Sequence, residues 1–329
     1  MAAARAVFQT GEFDYAWNLQ LSPDVIKGMT GPDAKGHVVA AFGSLVERLE
    51  MNMTDPSPTL PEGERSTSAH PNPILSDIRV REALSMAIDR SLLVQVGYGP
   101  AGQPTCNLVP APAAYADTTN TGCLKQDVEG AKKLLDEAGW KMGADGFRYK
   151  DGKKLSLTYQ TSTNAVRQDF QALIKQWWHD VGVDTELKNI NASVFFGSDP
   201  GSPDTFEKFY ADVEMYANNF SGTDPQAYMA QYVCSQAPSP KNQWQGQNMN
   251  RYCDPKYDAM VTELGQTADP VKRAEMVKTM NDMLTKDTMT IVPLVWRGTT
   301  SGVANSIVGE DINPWDSELW NIGDWSRKH

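Results

Sequence analysis

The clearest pattern along the chain is a four-residue spacing of apolar side chains that begins after Asp77. The residues at this spacing are Val80, Leu84, Ile88 and Leu92, with Ala83 and Ala87 beside them. A helix turns once in about 3.6 residues, so these side chains share one face, while Arg79, Glu82 and Arg90 lie opposite. The pattern predicts a single amphipathic helix that packs on the core, with Asp77 as its N-cap.

Alternating and helical patterns follow one another in the middle of the chain. Residues 155–159 alternate as in a strand, residues 165–181 have helical spacing before Gly182, and residues 183–187 alternate again. This order predicts a β-α-β unit with parallel strands and a right-handed crossover. Further helices are predicted for residues 127–138 and from Pro270, and further strands for residues 46–51, 209–216 and 290–296, with Pro293 at an edge or a bulge.

The first 50 residues predict a helix, a strand over residues 13–19, a second helix and a second strand. Because the chain opens inside a helix with no segment leading into it, we expect it to lack an N-terminal portion. Residues 52–73 contain five of the 20 prolines together with Ser, Thr, Gly and Glu, a composition typical of an exposed loop. This segment is the predicted domain boundary.

The length and charge of the chain restrict what it can be. A chain of 329 residues is long enough for two domains. Its net charge of −11 argues against a nucleic-acid partner, because phosphate binding needs clustered Lys and Arg. The apolar runs are shorter than the ~18 residues that a membrane span needs. Residues 1–5 also lack the apolar core of a signal peptide.

The four cysteines fall into two local pairs. Cys106 and Cys123 enclose one loop rich in Pro, Asn, Gly and Ser, and Cys234 and Cys253 enclose another. Four cysteines allow three pairings, and local pairing is the one that holds such loops in place. We therefore expect two disulfides and an oxidising compartment, with four unpaired thiols in a cytosolic protein as the alternative. The Cys and His residues have no spacing typical of a zinc site.

Residues 97–102 match the Gly-x-Gly-x-x-Gly pattern of dinucleotide-binding folds. That site needs a strand before the glycines and a helix after them, so that the helix N-terminus faces the pyrophosphate. Here a predicted helix precedes, Pro100 interrupts and a Pro-rich loop follows, so we expect a turn. Since the chain also has no nucleophile elbow or phosphate-binding loop, it is predicted to be a binding protein without a cofactor, not an enzyme. An NAD-dependent oxidoreductase is the alternative.

Four segments resemble one protein family. They are Asp-Ile-Arg-Val-Arg-Glu-Ala-Leu-Ser-Met-Ala-Ile-Asp at residues 77–89, Ala-Lys-Lys-Leu-Leu-Asp-Glu-Ala-Gly-Trp at residues 131–140, Gly-Glu-Phe-Asp at residues 11–14, and residues 248–258. Together they resemble the family 5 extracellular solute-binding proteins, the dipeptide-, oligopeptide- and nickel-binding components of ABC importers.

The resemblance implies a fold and a division of the chain. The fold is α/β, of the two-lobed periplasmic-binding-protein type (type II), with one lobe nearly complete and the other partial. Residues 1–73 form the C-terminal part of the first lobe plus the Pro-rich linker, residues 74–302 form the second lobe, and residues 303–329 return to the first. In an incomplete lobe, Phe8, Phe13 and Trp320 are expected to be exposed and to favour association with another chain.

The implied function is that of a receptor in the periplasm, or one that is extracytoplasmic and membrane-associated. It captures a small solute, such as a peptide or an opine, in the cleft between the lobes and delivers it to an inner-membrane ABC permease. A structural fragment that binds nothing is the alternative, and it follows if the partial lobe leaves no usable cleft.

The resemblance also indicates a ligand-binding loop after Tyr216. In peptide-binding relatives an Asp in this loop pairs with the α-amino group of the ligand, and the matching residue here is Asn219. An amide offers a neutral hydrogen bond where a carboxylate offers a charge-assisted one, so a sugar or an opine fits this position as well as a free amine does. Asp224 is an alternative acid, and a plain turn capped by Asn218 and Asn219 is the alternative without a ligand.

Other candidate ligand-binding residues rest on looser matches. They are Trp17, Asn18 and Gln20, which follow the residue 11–14 motif, Trp244 inside the second cysteine loop, and Trp296 and Arg297 at the end of a predicted strand. Arg297 suits a carboxylate or a phosphate, which a guanidinium binds with two hydrogen bonds. Packing in the core is the alternative role for each.

Overall fold

The computed structural model describes residues 2–61 and 63–328; Met1, Glu62 and His329, which the predicted domain ranges include, lie outside the described residues. The helices are α1 (Ala2–Arg5), α2 (Pro23–Met29), α3 (Ile78–Met86), α4 (Arg90–Gly97), α5 (Val128–Glu137), α6 (Ala165–Asp180), α7 (Ala192–Phe195), α8 (Gln226–Met229), α9 (Pro255–Gln266) and α10 (Pro270–Asp282). None of the helices in this described part is long and apolar enough to cross a membrane.

The strands belong to four sheets. They are β1 (Tyr15–Ala16), β2 (Gly36–Ala41), β3 (Val46–Met51), β4 (Gly102–Pro104), β5 (Lys141–Met142), β6 (Arg148–Lys150), β7 (Lys153–Lys154), β8 (Ser156–Ser162), β9 (Asp184–Ile190), β10 (Val213–Asn218), β11 (Ile291–Arg297), β12 (Thr299–Ala304), β13 (Ile307–Val308) and β14 (Ser326–Arg327). Two of the sheets position the candidate site described below. One has six strands; the other, formed by β1, β12 and β2, is called the three-stranded sheet below, to distinguish it from the small sheet of β5, β6 and β7.

Most of the chain packs around the six-stranded sheet, whose strand order is β4-β11-β3-β10-β8-β9. Strand β8 pairs in parallel with β9 and β10, and the remaining neighbours are antiparallel. Helix α6 connects β8 to β9, which confirms the predicted β-α-β unit. Leu157, Ile174 and Trp178 are buried in the apolar core that this helix shares with the sheet.

The single helix predicted after Asp77 is two helices. Asp77 caps α3 by accepting a hydrogen bond from Arg79 N at 3.0 Å, and Asp89 caps α4 by accepting one from Leu92 N at 3.0 Å. Ile88 lies in the break and is fully buried, so the apolar face continues across it. The placement of Arg90 on the polar face is wrong, because its guanidinium is buried and donates to Pro293 O at 2.8 Å.

The three-stranded sheet has the order β1-β12-β2 and packs against α1 and the turn of π-helix that continues it. The strand predicted for residues 13–19 is only β1, since Asn18 has a positive φ of 50°. Phe8 is fully buried, and a Cβ atom at Gly302 would lie 2.8 Å from its ring. The expectation that Phe8 is exposed is therefore wrong, whereas Phe13 and Trp320 are 52% and 51% exposed.

Strand β3 lies in the middle of the six-stranded sheet, between β11 and β10. The family resemblance predicts that these residues belong to the first lobe, yet their hydrogen bonds join them to strands within residues 74–302. Residues 52–73 form the predicted loop, but Asn52 within it is buried and donates to Phe209 O and Ala211 O at 2.9 and 3.0 Å. The loop is thus tied to the sheet, and the domain ranges stay a prediction.

Both expected disulfides are present, Cys106–Cys123 and Cys234–Cys253, which confirms the local pairing. The loops that they close contribute Leu108 and Tyr252 to a second apolar cluster, together with α8, α9 and α10. Helix α9 was not predicted. The methionines predicted to fill the core of α10 include Met276 and Met280, and both are buried in this cluster.

Three local predictions can be compared with the backbone. Strand β10 begins at Val213 and not at residue 209, because Phe209 has a positive φ of 50°. The pairing of β11 with β3 shifts between Pro293 and Val295, which is the predicted bulge. Residues 97–102 form the end of α4, a single turn and the start of β4, so a helix precedes and a strand follows, the reverse of a dinucleotide site.

Candidate binding cleft

A cleft of about 1010 Å³ lies between the three-stranded and the six-stranded sheets. The first sheet and its loops contribute Tyr15, Trp17, Asn18, Gln20, Ala41 and Thr299, and the second contributes Leu45, Ser162, Ala217 and Arg297, with Asn164 and Arg167 at the start of α6. Residues 312–314 and 316–319 of the C-terminal segment close one side. Ligand sites typically occupy roughly 300–1,000 Å³, so the cleft can hold a small organic solute.

One wall of the cleft carries two arginines that share a single carboxylate. Glu47 on β3 is fully buried, and its Oε1 lies 2.5 Å from Arg167 Nε while its Oε2 lies 3.4 Å from Arg297 Nε. Tyr98 also donates its hydroxyl to Glu47, at 3.1 Å. Burial by itself would raise the pKa of Glu47, but the two guanidinium groups hold it below its ordinary value. The cluster therefore carries one positive charge in excess.

Local sequence explains how Arg167 reaches this cluster. Asn164 is the N-cap of α6 and accepts a hydrogen bond from Arg167 N at 3.2 Å. This cap places Arg167 in the first turn of the helix, where the side chain donates from Nη1 to Ser162 Oγ at 3.0 Å. The end of β8 and the start of α6 thus fix the guanidinium at the edge of the sheet.

Amide groups from the loop after β1 hold Arg297. Asn18 accepts from Arg297 Nη1 at 3.4 Å. The carboxamide of Gln20 lies 2.9 and 3.1 Å from Nη1 and Nη2, so its oxygen accepts from both when it faces the guanidinium. Gln20 also contacts Asn164 at 3.0 Å. These contacts join the three-stranded sheet to α6 across the cleft.

An acidic group lines the cleft from the C-terminal segment. Glu318 is 9% exposed, and its Oε2 accepts hydrogen bonds from the Tyr15 hydroxyl and from Ser301 Oγ, the latter at 2.6 Å. Burial, together with the hydrogen bond to Glu318, raises the pKa of Tyr15, so that this hydroxyl stays protonated and donates. The cleft therefore offers a carboxylate as well as guanidinium groups.

Two aromatic side chains in the cleft remain open to solvent. Trp17 is 68% exposed and Phe196 is 44% exposed, and both line the cleft. The guanidinium of Arg167 lies 5.8 Å from the centre of the Phe196 ring. Exposed aromatic faces beside fixed polar groups are typical of sites that bind organic ligands.

The candidate residues in the loop after Tyr216 do not all lie in the cleft. Asn219 lines the cleft. Tyr216 is buried with its hydroxyl 3.3 Å from Glu50, and Asn218 donates to Gln231 at 3.2 Å. Asp224 forms an ion pair with Arg273 at 2.6 Å, away from the cleft-lining residues. The structure thus brings Asn219 into the cleft and leaves the other three outside it.

The two remaining tryptophan candidates also lie outside the cleft. Trp244 is buried and meets the ring of Tyr210 edge to face, with 5.9 Å between ring centres. Trp296 donates its indole N–H to Gly43 O at 2.8 Å, beside Phe42. Of the candidates predicted from the sequence, the structure places Trp17, Asn18, Gln20, Asn219 and Arg297 in the cleft.

Sequence reasoning missed Arg167, Tyr15 and Glu318. The signal for Arg167 was present, since it follows an Asn N-cap at the end of a predicted strand. Tyr15 adjoins the motif at residues 11–14, two positions before Trp17. Nothing near Glu318 marks it in the sequence, because its partners Tyr15 and Ser301 are 303 and 17 residues away.

Comparison with known proteins gives the family. The sequence profile described as bacterial extracellular solute-binding proteins, family 5 Middle, matches residues 1–239. The oligopeptide-binding protein AppA of Bacillus subtilis is 31% identical over 132 residues, which are 37% of this chain and 23% of that protein.

Solved structures agree in fold. The structure of NikZ from Campylobacter jejuni in complex with Ni(L-His) has a TM-score of 0.77 at 20% identity, and that of AppA from Bacillus subtilis with a nonapeptide has a TM-score of 0.77 at 19% identity. The alignments cover 99% and 100% of this chain but only 59% and 58% of those chains. The chain thus spans under two thirds of these relatives and has their periplasmic-binding-protein fold, with one lobe partial. Because the family profile matches residues 1–239 of 329, the chain belongs to family 5 of the bacterial extracellular solute-binding proteins.

Proposed function

We propose that this chain is part of a solute-binding receptor of an ABC importer, and that its cleft captures a small organic solute through a carboxylate. The observation that carries the proposal is the pair Arg167 and Arg297, which share the single acid Glu47 in the wall of a cleft of about 1010 Å³. A carboxylate matches the forked donors of a guanidinium and supplies the negative charge that the cluster lacks.

The proposal extends to the division into lobes. We propose that each lobe is built around one of the two sheets that line the cleft. The chain passes between them over residues 42–45, which join β2 to β3, and at Gly298, which joins β11 to β12. A Cβ atom at Gly298 would lie 3.1 Å from Ala41 O, so the two connections run close together. Such paired connections act as a hinge, and a ligand that contacts both sheets favours the closed form.

The remaining parts of the proposal follow from the family. Delivery of the solute requires an ABC permease as the partner, and the two disulfides fit an oxidising compartment outside the cytoplasm, such as the periplasm. Relatives are named for binding oligopeptides, dipeptides or glutathione. Peptides and opines carry the carboxylate that the arginine pair suits, so they are the proposed class of solute.

A thermal-shift and calorimetry screen tests this function. The panel contains di- and tripeptides, opines, their methyl esters, nickel chelates and neutral oligosaccharides. We expect the melting temperature to rise with free carboxylates and not with esters or sugars, since only the former pair with Arg297. Arg297→Gln should weaken binding roughly tenfold or more, the effect of losing a charge-assisted hydrogen bond.

The matched control is Arg273→Gln, which removes the same charge from an ion pair outside the cleft and should leave affinity unchanged. Equal binding of esters and free acids by the unaltered protein would contradict the carboxylate proposal, even if Arg297→Gln folds poorly. No shift with any compound would favour the non-binding structural fragment instead.

A further inference from the structure

We propose that Glu318 is the residue that binds an ammonium group of the solute, so that the cleft selects a dipolar ligand with an amine and a carboxylate. This inference rests on the proposed function and narrows its class of solute. It assigns the cationic end of the ligand to the C-terminal segment, and not to the loop at Asn219, where the chain has a neutral amide.

The two carboxylate oxygens of Glu318 differ in their hydrogen bonding. Oε2 of Glu318 accepts from both Tyr15 and Ser301. Oε1 is out of contact with solvent and has no hydrogen-bond partner within residues 2–61 and 63–328. The side chain is 9% exposed and lines the cleft. A buried oxygen without a donor is costly, and a ligand donor in the cleft removes that cost.

The charges of the groups around Glu318 also favour a cationic ligand. Within the same described residues, no Lys, Arg or His nitrogen pairs with Glu318, although Arg297 and Arg167 lie in the same cleft and are already paired with Glu47. The two groups that contact Oε2 are neutral hydroxyls, and burial keeps that of Tyr15 protonated by raising its pKa. A buried carboxylate with neutral partners favours a cationic donor over a neutral one.

A short path of hydrogen bonds connects Glu318 to the arginine pair. Ser301 Oγ contacts Glu318 at 2.6 Å and accepts from Asn18 N at 3.1 Å, and the side chain of Asn18 accepts from Arg297 at 3.4 Å. Ser301, behind the cleft wall, and Asn18, in it, therefore link the acidic group to the basic group through hydrogen bonds. A single small solute can reach both, with its ammonium at Glu318 and its carboxylate at Arg297.

Other buried polar atoms without partners do not compete for this role. Glu214 Oε1 and Thr185 Oγ1 also have none among the described residues, but these residues are buried in strands of the six-stranded sheet and do not line the cleft. Asp316 lines the cleft but is exposed, so water can solvate it. Glu318 alone of these four combines burial, an unused oxygen and a place in the cleft wall.

Calorimetry with four probes tests the assignment: alanyl-alanine, trialanine and the N-acetyl derivative of each. Acetylation removes the ammonium and keeps the carboxylate. We expect it to weaken binding to the unaltered protein roughly tenfold to a hundredfold, the range for a charge-assisted hydrogen bond. Glu318→Gln should weaken binding of the free peptides to a similar extent and leave the acetylated ones unchanged, because the amide keeps the shape and loses the charge.

The matched control is Asp311→Asn, which removes the same charge from an exposed position of the same C-terminal segment, outside the cleft lining, and should have little effect on either form. Thermal unfolding of the ligand-free variants checks that each has folded. Equal affinity of free and acetylated peptides for the unaltered protein overturns the assignment, whatever the variants do. If none of the four probes binds while other carboxylates do, the ammonium site is wrong and the carboxylate site stands; if nothing binds, both are wrong.

Discussion

At the scale of single residues, two fully buried glutamates on neighbouring strands are held in different charge states. Burial by itself raises the pKa of Glu47, but Arg167 and Arg297 hold it below the ordinary value. Burial raises the pKa of Glu214 well above its ordinary value, and the hydrogen bond that it accepts from the neutral amide of Gln160 at 2.9 Å offsets this only in part. Both side chains are fully buried, so the two guanidinium groups beside Glu47 account for the opposite direction of its pKa shift.

This contrast predicts that replacing each glutamate with glutamine lowers the free energy of unfolding by a different amount. Glu47→Gln leaves two buried guanidinium groups without their carboxylate, and it should lower the free energy of unfolding at pH 7 by about 3–5 kcal/mol. Glu214→Gln is the matched control. Because a carboxyl that favours its protonated form resembles an amide, this variant should change the free energy by less than about 1 kcal/mol. Urea unfolding measures both, and equal losses would contradict the assignment of charge.

The unaltered protein and Glu47→Gln should also differ in how their free energy of unfolding depends on pH. A glutamate with a lowered pKa stabilises the folded state fully above its ordinary pKa of 4.5, and this stabilisation is lost as the pH falls through the lower folded-state value. The difference between the unaltered protein and Glu47→Gln should therefore be constant from pH 7 to about 5.5 and shrink below 4.5. If the stability difference between the two proteins grew as the pH fell, the assignment of a lowered pKa to Glu47 would be wrong.

At the scale of elements, the two disulfides hold loops that the sheets do not order. The closures span 17 and 19 residues, and the loops pack with α8, α9 and α10 in one apolar cluster, whereas α6 packs in another. Neither loop contributes a described residue to the cleft lining. The disulfides therefore stabilise the fold and do not shape the cleft.

We expect each disulfide to add about 3 kcal/mol to the free energy of unfolding, the value for loops of this length. The paired changes Cys106→Ser with Cys123→Ser, and Cys234→Ser with Cys253→Ser, should each lower the melting temperature. Their affinity for any compound that binds in the screen should stay within about twofold, since the cleft is intact. A large loss of affinity in either variant would show that its loop reaches the ligand.

At the scale of the whole molecule, the chain presents large apolar side chains to solvent around the three-stranded sheet. Phe13 is 52% exposed, and Trp320 and Ile322 of the C-terminal segment are 51% and 54% exposed. Trp17, 68% exposed, is part of the cleft. Exposed apolar side chains of this size favour association.

We therefore expect this chain to associate with a second copy of itself through the exposed side chains of Phe13, Trp320 and Ile322. Light scattering should show an average mass that rises with concentration above the 36.3 kDa of one chain. The double variant Phe13→Ser with Ile322→Ser should have a lower average mass. Val271→Ser is the matched control, because Val271 is 66% exposed on α10, far along the chain from these residues. A single monodisperse monomer at all concentrations would contradict the expectation.

The sequence by itself determined the family and the local structure. Helix caps at Asp77 and Asp127, the β-α-β unit, the turn at residues 97–102 and the two disulfides follow from residues close together in the chain. Such features depend on short-range hydrogen bonds and on spacing, so a pattern in the sequence is enough to predict them.

Only the tertiary structure decided which charged groups meet. Asp224 was a candidate for the cleft, and the fold pairs it with Arg273 instead. Arg167 meets Glu47 from 120 residues away, and Tyr15 meets Glu318 from 303 residues away. Contacts between distant residues depend on how the sheets pack against each other, which no local pattern encodes. For that reason the sequence predicted that a cleft exists, while the fold decided which acid and which bases line it.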